Sequence, residues 1–196
     1  MSARSPIERA FDRAVVYRLC ARALGFPGPD RLAEVARLAR RAAEAVEGPL
    51  RSRMAELAAA ATVTDDQRAA EEYVLLFDGA VRCAPCEGAA ELEFMSALAL
   101  KEGWAVAEGH HDHADVSRDA SAAFLRDHLG RWAPAFAETL RDVSQIDYYR
   151  AVAGVLQPWI TTDAEALGVV LAPRPPTPAE AAEHAPPTCP MVHGDG

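Results

Sequence analysis

The stretch from Glu91 to Leu140, ELEFMSALALKEGWAVAEGHHDHADVSRDASAAFLRDHLGRWAPAFAETL, constrains the fold most. Leu92, Met95 and Ala99 recur at helical spacing, and Phe94 and Leu98 widen the stripe. Glu91 shares the face of Phe94, Met95 and Leu98, so one carboxylate borders the apolar side. That position costs free energy without a partner, and an Arg of this chain or of another protein would supply one. Glu93 is directed to the other side, toward solvent. A second stripe follows at Phe124, Leu125, His128, Leu129 and Trp132, with His128 read as a hydrogen-bonded core histidine. The polar segment Gly109 to Asp115 separates the two. Antiparallel helices joined in this way form the seam of a helical bundle, which the rest of the chain covers.

The flanking sequence supplies the cover. Ser5-Pro6-Ile7-Glu8 reads as a capping box with proline at the first helical position. Phe11, Val15, Val16, Leu19, Cys20, Ala23 and Leu24 then make one broad apolar face, with Cys20 as an inert core thiol. Gly25-Phe26-Pro27-Gly28-Pro29 stops this helix. Asp30 is placed to cap the next one, which buries Leu32, Val35, Leu38, Ala42 and Val46 and ends at Gly48-Pro49. Leu50, Met54 and Leu57 define a third helix. Thr64-Asp65-Asp66-Gln67 reads as a second capping box, opening a helix through Ala69, Tyr73, Val74 and Phe77. Pro134 is expected to break the helix before it or to start a new one. Tyr148, Tyr149, Val152, Val155, Leu156 and Trp159 lie on a further helix, and Thr162-Asp163-Ala164-Glu165 reads as the cap of a last short turn. Residues with β-branched side chains never alternate over a useful length, so the fold is expected to be all-α. Seven of the fourteen prolines fall after Ala172. The expected organisation is a helical domain over 1–172 and a disordered Pro-rich tail over 173–196.

Charge narrows the function. The formal net charge of the 196 residues is -9. It is uneven: residues 1–60 hold eleven Arg against seven acids, for +4, and the remainder stands at -13. An acidic body does not suit nucleic acid and does suit a basic partner. No uninterrupted apolar segment marks a signal peptide or a membrane span. The four cysteines, at 20, 83, 86 and 189, do not form a disulfide framework, which points to the cytoplasm.

Two chemical readings attach to the segment Val81 to Gly88. Cys83-Ala84-Pro85-Cys86 has the spacing of a thiol redox pair, without the βαβ context such a pair needs. Cys83 and Cys86 could also join His110, His111 or His113 as zinc ligands, although the histidines read equally as a solvated turn. No Gly-rich phosphate loop and no nucleophile elbow occurs, and the residues taken alone read as non-enzymatic.

A larger pattern resembles a known family. Glu72-Tyr73-x-x-Leu76-Phe77, Cys83-Ala84-Pro85-Cys86-Glu87, Glu91-Leu92-Glu93-Phe94-Met95, Phe124-Leu125-x-x-His128-Leu129-x-x-Trp132-x-Pro134-x-Phe136 and Tyr148-Tyr149 resemble the TorD/DmsD family of cytoplasmic redox-enzyme maturation chaperones. The nitrate reductase assembly chaperones are more distant relatives of the same design. The similarity runs in order over about residues 10–170 and is most specific over Glu91–Phe136. It implies a bundle without catalysis or cofactor of its own. The implied partner is a molybdopterin oxidoreductase apoenzyme of the dimethyl sulfoxide reductase type, in many members with its twin-arginine signal peptide. The implied binding surface lies around Tyr73, Phe77, Pro85, Glu87, Glu91 and Trp132. Two departures stand out. The segment Cys83–Glu87 usually reads C-P-P-Y-E in the family. The helical turns that normally precede the E-L-E-F-M, ending in an Asp-His pair, are missing between Glu87 and Glu91. With that material absent, the face of Leu92, Met95 and Leu98 is expected to be short of cover and to be closed by a client or by a second copy exchanging helices.

Overall fold

The computed structural model describes residues 4–77 and 85–171, with backbone alone at 85–87. All regular structure among the described residues is helical. The elements are α1 (Pro6–Leu24), α2 (Arg31–Ala45), α3 (Gly48–Val63), α4 (Asp66–Leu75), α5 (Pro85–Ala107), α6 (His111–Phe124), α7 (Gly130–Val143) and α8 (Asp147–Leu167). Helix α5 lies along α1 and carries α6 on its other side, while α2 packs on α1 and α3, and α8 lies against α3 and α7. The tail residues from 172 onward and Cys83 lie outside the described residues.

Local chemistry explains the boundaries. The Ser5 box forms on both sides: Glu8 N–H donates to Ser5 Oγ at 3.2 Å, and Ser5 N–H donates to Glu8 Oε2 at 2.7 Å. The second box is displaced by one residue. Asp65 is the cap and accepts from Arg68 N–H at 3.0 Å, whereas the Thr64 hydroxyl turns back to donate to Ala60 C=O. Asp30 stands at the head of α2 with φ of 60° and makes no side-chain cap bond. Gly48-Pro49 opens α3 and does not terminate α2, consistent with proline's fit to the first helical turn. Helix α5 ends in a Schellman pair, His110 N–H to Ala105 C=O at 2.8 Å and Gly109 N–H to Val106 C=O at 3.1 Å. Gly109 supplies the positive φ of 75° that this ending requires.

Between α6 and α7 the path stays helical but widens to a π-turn at Leu125–Leu129. Pro134 therefore neither stops the helix nor restarts it. It sits inside α7, and the irregularity is taken up in the turn before. The wide turn also rotates His128 out of the apolar stripe. Leu125 and Leu129 are fully buried, while His128 is exposed, its ring stacked on Phe124 at 4.5 Å. The expected core histidine is thus a surface residue.

The seam is closed by the chain itself. Leu92 and Met95 are fully buried and Leu98 nearly so, in a core that includes Tyr17, Leu19, Leu24, Met54, Leu57, Leu125, Leu129, Leu140, Tyr148 and Tyr149. The expected shortage of cover over this face does not exist, because α1 and α6 pack directly on α5. Cys20 lies in the same core, where burial pushes its thiol up to about 12.

One polar cluster lies within this interior. Arg13 Nε donates to Asp163 Oδ1 at 2.7 Å and Nη1 to Glu102 Oε2 at 2.6 Å, and Tyr17 OH donates to Asp163 Oδ2 at 2.7 Å. Arg118 closes the outer side, on Glu102 at 3.3 Å and on Ala166 C=O at 2.7 Å. Burial works against the Arg13 charge, and the attraction of Asp163 and Glu102 overrides it and raises its pKa. Asp163 is therefore an interior link between α1 and α8 and caps nothing: α8 runs unbroken through it.

Candidate partner-binding site

Four of the six residues expected at the binding surface have described side chains, and the structure brings them into one aromatic strip. Tyr73, on the last turns of α4, meets Phe77 at a ring-centroid distance of 4.5 Å. Phe77 lies parallel to Phe136 at 6.2 Å, and Phe136 meets Trp132 edge-on at 5.3 Å. The Trp132 indole N–H donates to Glu91 Oε2 at 2.8 Å. Glu91 therefore has its partner within the chain, and that partner is a neutral indole, not an arginine. Glu93 points away as expected, exposed and 3.8 Å from Arg22. The side chains of Pro85 and Glu87 lie outside the described residues.

The strip extends to a residue that sequence reasoning missed. Phe26, in the Gly25–Pro29 stop, packs edge-on against Tyr73 at 5.3 Å and remains 53% exposed. A large aromatic in a Gly/Pro-rich turn was the available signal, since a turn needs no such side chain. Val74 and Leu75, at the end of α4, are also exposed.

A rigid floor supports the strip. Phe77 contacts Tyr149 at 6.3 Å, and Tyr149 contacts Tyr148 at 4.9 Å. The two tyrosine hydroxyls donate to Ala69 C=O on α4 and Ala23 C=O on α1, each at 3.1 Å. Burial raises the pKa of both, so they remain neutral donors. Buried Glu72 accepts from Ser144 Oγ at 3.2 Å and from Gln145 N–H, fixing α4 to the α7–α8 connection. At the other end Gly88 lies beneath the indole: a Cβ there would stand 2.8 Å from Trp132 Cη2, so glycine permits this approach. The result is an aromatic surface that is partly exposed yet held from behind, the arrangement that lowers the entropic cost of binding another chain.

The metal and thiol reading gains no geometry. His110 and His113 are exposed, with ring centroids 5.6 Å apart, at the head of α6. No group of three or more metal-ligating side chains occurs among the described residues, and Cys83 and the Cys86 side chain lie outside them.

The described residues thus form an all-α bundle with an aromatic strip packed against its core. The family model described as nitrate reductase delta subunit matches residues 88–138, the span that holds Glu91, the π-turn, Trp132 and Phe136. That family comprises redox-enzyme maturation chaperones, and the match supports the resemblance to the TorD/DmsD proteins. No curated protein and no solved structure matches the chain.

Proposed function

We propose that the protein is a cytoplasmic, non-catalytic chaperone that binds the precursor of a molybdopterin oxidoreductase of the dimethyl sulfoxide reductase type while cofactor is inserted, and engages its twin-arginine signal peptide before export. The observation that carries this reading is the continuity of the strip Phe26–Tyr73–Phe77–Phe136–Trp132, ending on Glu91 within the segment the family model matches. Phe26 is exposed, Tyr73, Phe77 and Trp132 are half-buried and Phe136 is buried, so the strip offers an apolar edge to a client segment, and the -13 charge of residues 61–196 favours a basic one. No described helix is long and apolar enough to cross a membrane, in keeping with a protein that meets its client before translocation.

Affinity purification of the tagged chain from its own host tests the proposal. A molybdoenzyme precursor retained in stoichiometric amount is the expected result. Retention of the mature, cofactor-loaded enzyme with equal affinity would contradict it, because a maturation chaperone must release its finished client.

A further inference from the structure

The strip does not stop at Trp132, and its continuation onto α5 carries an unneutralised charge. Glu91 is half-buried. Its Oε2 accepts from the neutral Trp132 indole at 2.8 Å, while its Oε1 makes no bond and is not enclosed by protein. Among the described residues no cation lies within ion-pair distance of it. Arg22 is placed on Glu34 and Glu93, Arg126 donates to Asp127 at 2.8 Å, and Arg131 adds to the positive field on Asp127. One turn along α5 from Glu91, Phe94 is 47% exposed and meets Phe124 at 4.7 Å, and exposed His128 stacks on Phe124. His128 and Trp132 are themselves one helical turn apart, so Glu91 and these rings share one surface formed by α5 and the turn into α7.

A carboxylate without a counter-charge, bordered by exposed rings, selects among possible occupants. An anion would meet the charge of Glu91, and a purely apolar side chain would desolvate it without a partner. A guanidinium is planar, donates to a carboxylate in a fixed fork and stacks on aromatic faces, whereas an ammonium is more strongly hydrated and has no such plane. From the free Oε1 of Glu91 beside the rings of Phe94, Phe124 and His128, we propose that this corner recognises an arginine side chain of the bound segment, in preference to lysine. The inference rests on the reading of the strip as the surface for a client segment, and it specifies one residue of what is bound. The guanidinium donates to Glu91 Oε1 while Oε2 keeps the Trp132 indole, and Phe94 supplies the ring that it covers.

The probes are two synthetic peptides, acetyl-Ala-Leu-Arg-Leu-Ala-amide and its lysine counterpart, titrated into the full-length ¹⁵N-labelled protein. The chain holds three tryptophans, so the indole N–H signals can be followed one by one, and that of Trp132 reports directly on Glu91. The expected result is a saturable displacement of the Trp132 signal by the arginine peptide. Binding should be at least fivefold weaker for the lysine peptide, and at least fivefold weaker for the arginine peptide in Glu91→Gln. That variant keeps an acceptor for the indole, and circular dichroism checks its fold. Equal affinity for the two peptides, unchanged affinity in Glu91→Gln, or a displacement confined to Trp104 or Trp159 would overturn the proposal. A molybdoenzyme precursor retained by a chain that fails this titration removes the arginine site alone. An arginine-selective titration with no precursor retained keeps the site and removes the reading of the client as a molybdoenzyme.

Discussion

Replacing Asp163 by alanine removes the carboxylate that meets both Arg13 and Tyr17. Two charge-assisted contacts to Arg13, at 2.7 and 3.3 Å, and the Tyr17 bond at 2.7 Å disappear together. What remains is a guanidinium that is 8% exposed, held by Glu102 alone, and a phenol in the core with no acceptor. Breaking a buried ion pair from one side costs about 3–5 kcal/mol, because the remaining charge stays desolvated. For a chain of this size each kcal/mol moves the melting temperature by about 2–4 °C, so a drop of about 6–20 °C is expected. Urea titration followed by far-ultraviolet circular dichroism gives the free energy, and a thermal scan gives the temperature. Asp163→Asn keeps an acceptor for Tyr17 or Arg13 and should lose less. A loss below about 1 kcal/mol in Asp163→Ala would refute the reasoning, since it would place the cluster in contact with water.

Three further outcomes follow from the same geometry. Gly130→Ala should destabilise the protein by about 1–3 kcal/mol in the urea assay, because its Cβ would stand 2.6 Å from both Leu125 C=O and Leu171 Cδ2. Stability should hold through neutral pH and fall as pH rises above about 9, by up to about 1.4 kcal/mol per pH unit for each group concerned, since the unfolded chain releases the Cys20 thiol and the tyrosine protons first. Burial holds the folded Cys20 thiol up at about 12 and raises Tyr17, Tyr148 and Tyr149, so the native state keeps those protons longer; a flat stability profile from pH 8 to 11 would contradict this. Replacing Cys83 and Cys86 together by serine should leave client retention unchanged, and a loss of retention accompanied by a reversible disulfide in mass spectrometry would restore the thiol reading.

The helical framework was legible because its signals are local. The Ser5 box, the stripe of Leu92 and Met95, and the Tyr148–Trp159 face each express a period or a cap within a few residues. The errors arose where a distant contact overrode a local pattern. Thr162-Asp163-Ala164-Glu165 has the form of a cap, but Asp163 is committed to Arg13, 150 positions away, and the helix continues through it. His128 fits the helical stripe only at a constant pitch, which the π-turn does not keep. Glu91 could be recognised as a carboxylate in need of a partner, whereas its donor, Trp132, lies 41 residues on and is brought near only by the tertiary fold. Phe26 reads locally as part of a helix stop, and its contact with Tyr73 on α4 comes from a distant part of the chain.

The most direct test of the account is a calorimetric titration of the apoenzyme precursor, or of its leader peptide, into the wild-type chain, Tyr73→Ala, Phe77→Ala and Trp104→Ala. Trp104 is the control: it is 62% exposed and packs against Phe11, away from the strip. The account predicts at least tenfold weaker binding for the Tyr73 and Phe77 variants, about the 1.4 kcal/mol expected at minimum for an aromatic anchor, with Trp104→Ala indistinguishable from wild type. Equal binding by all four proteins, each shown to be folded, would place the client elsewhere and contradict the assignment of the strip.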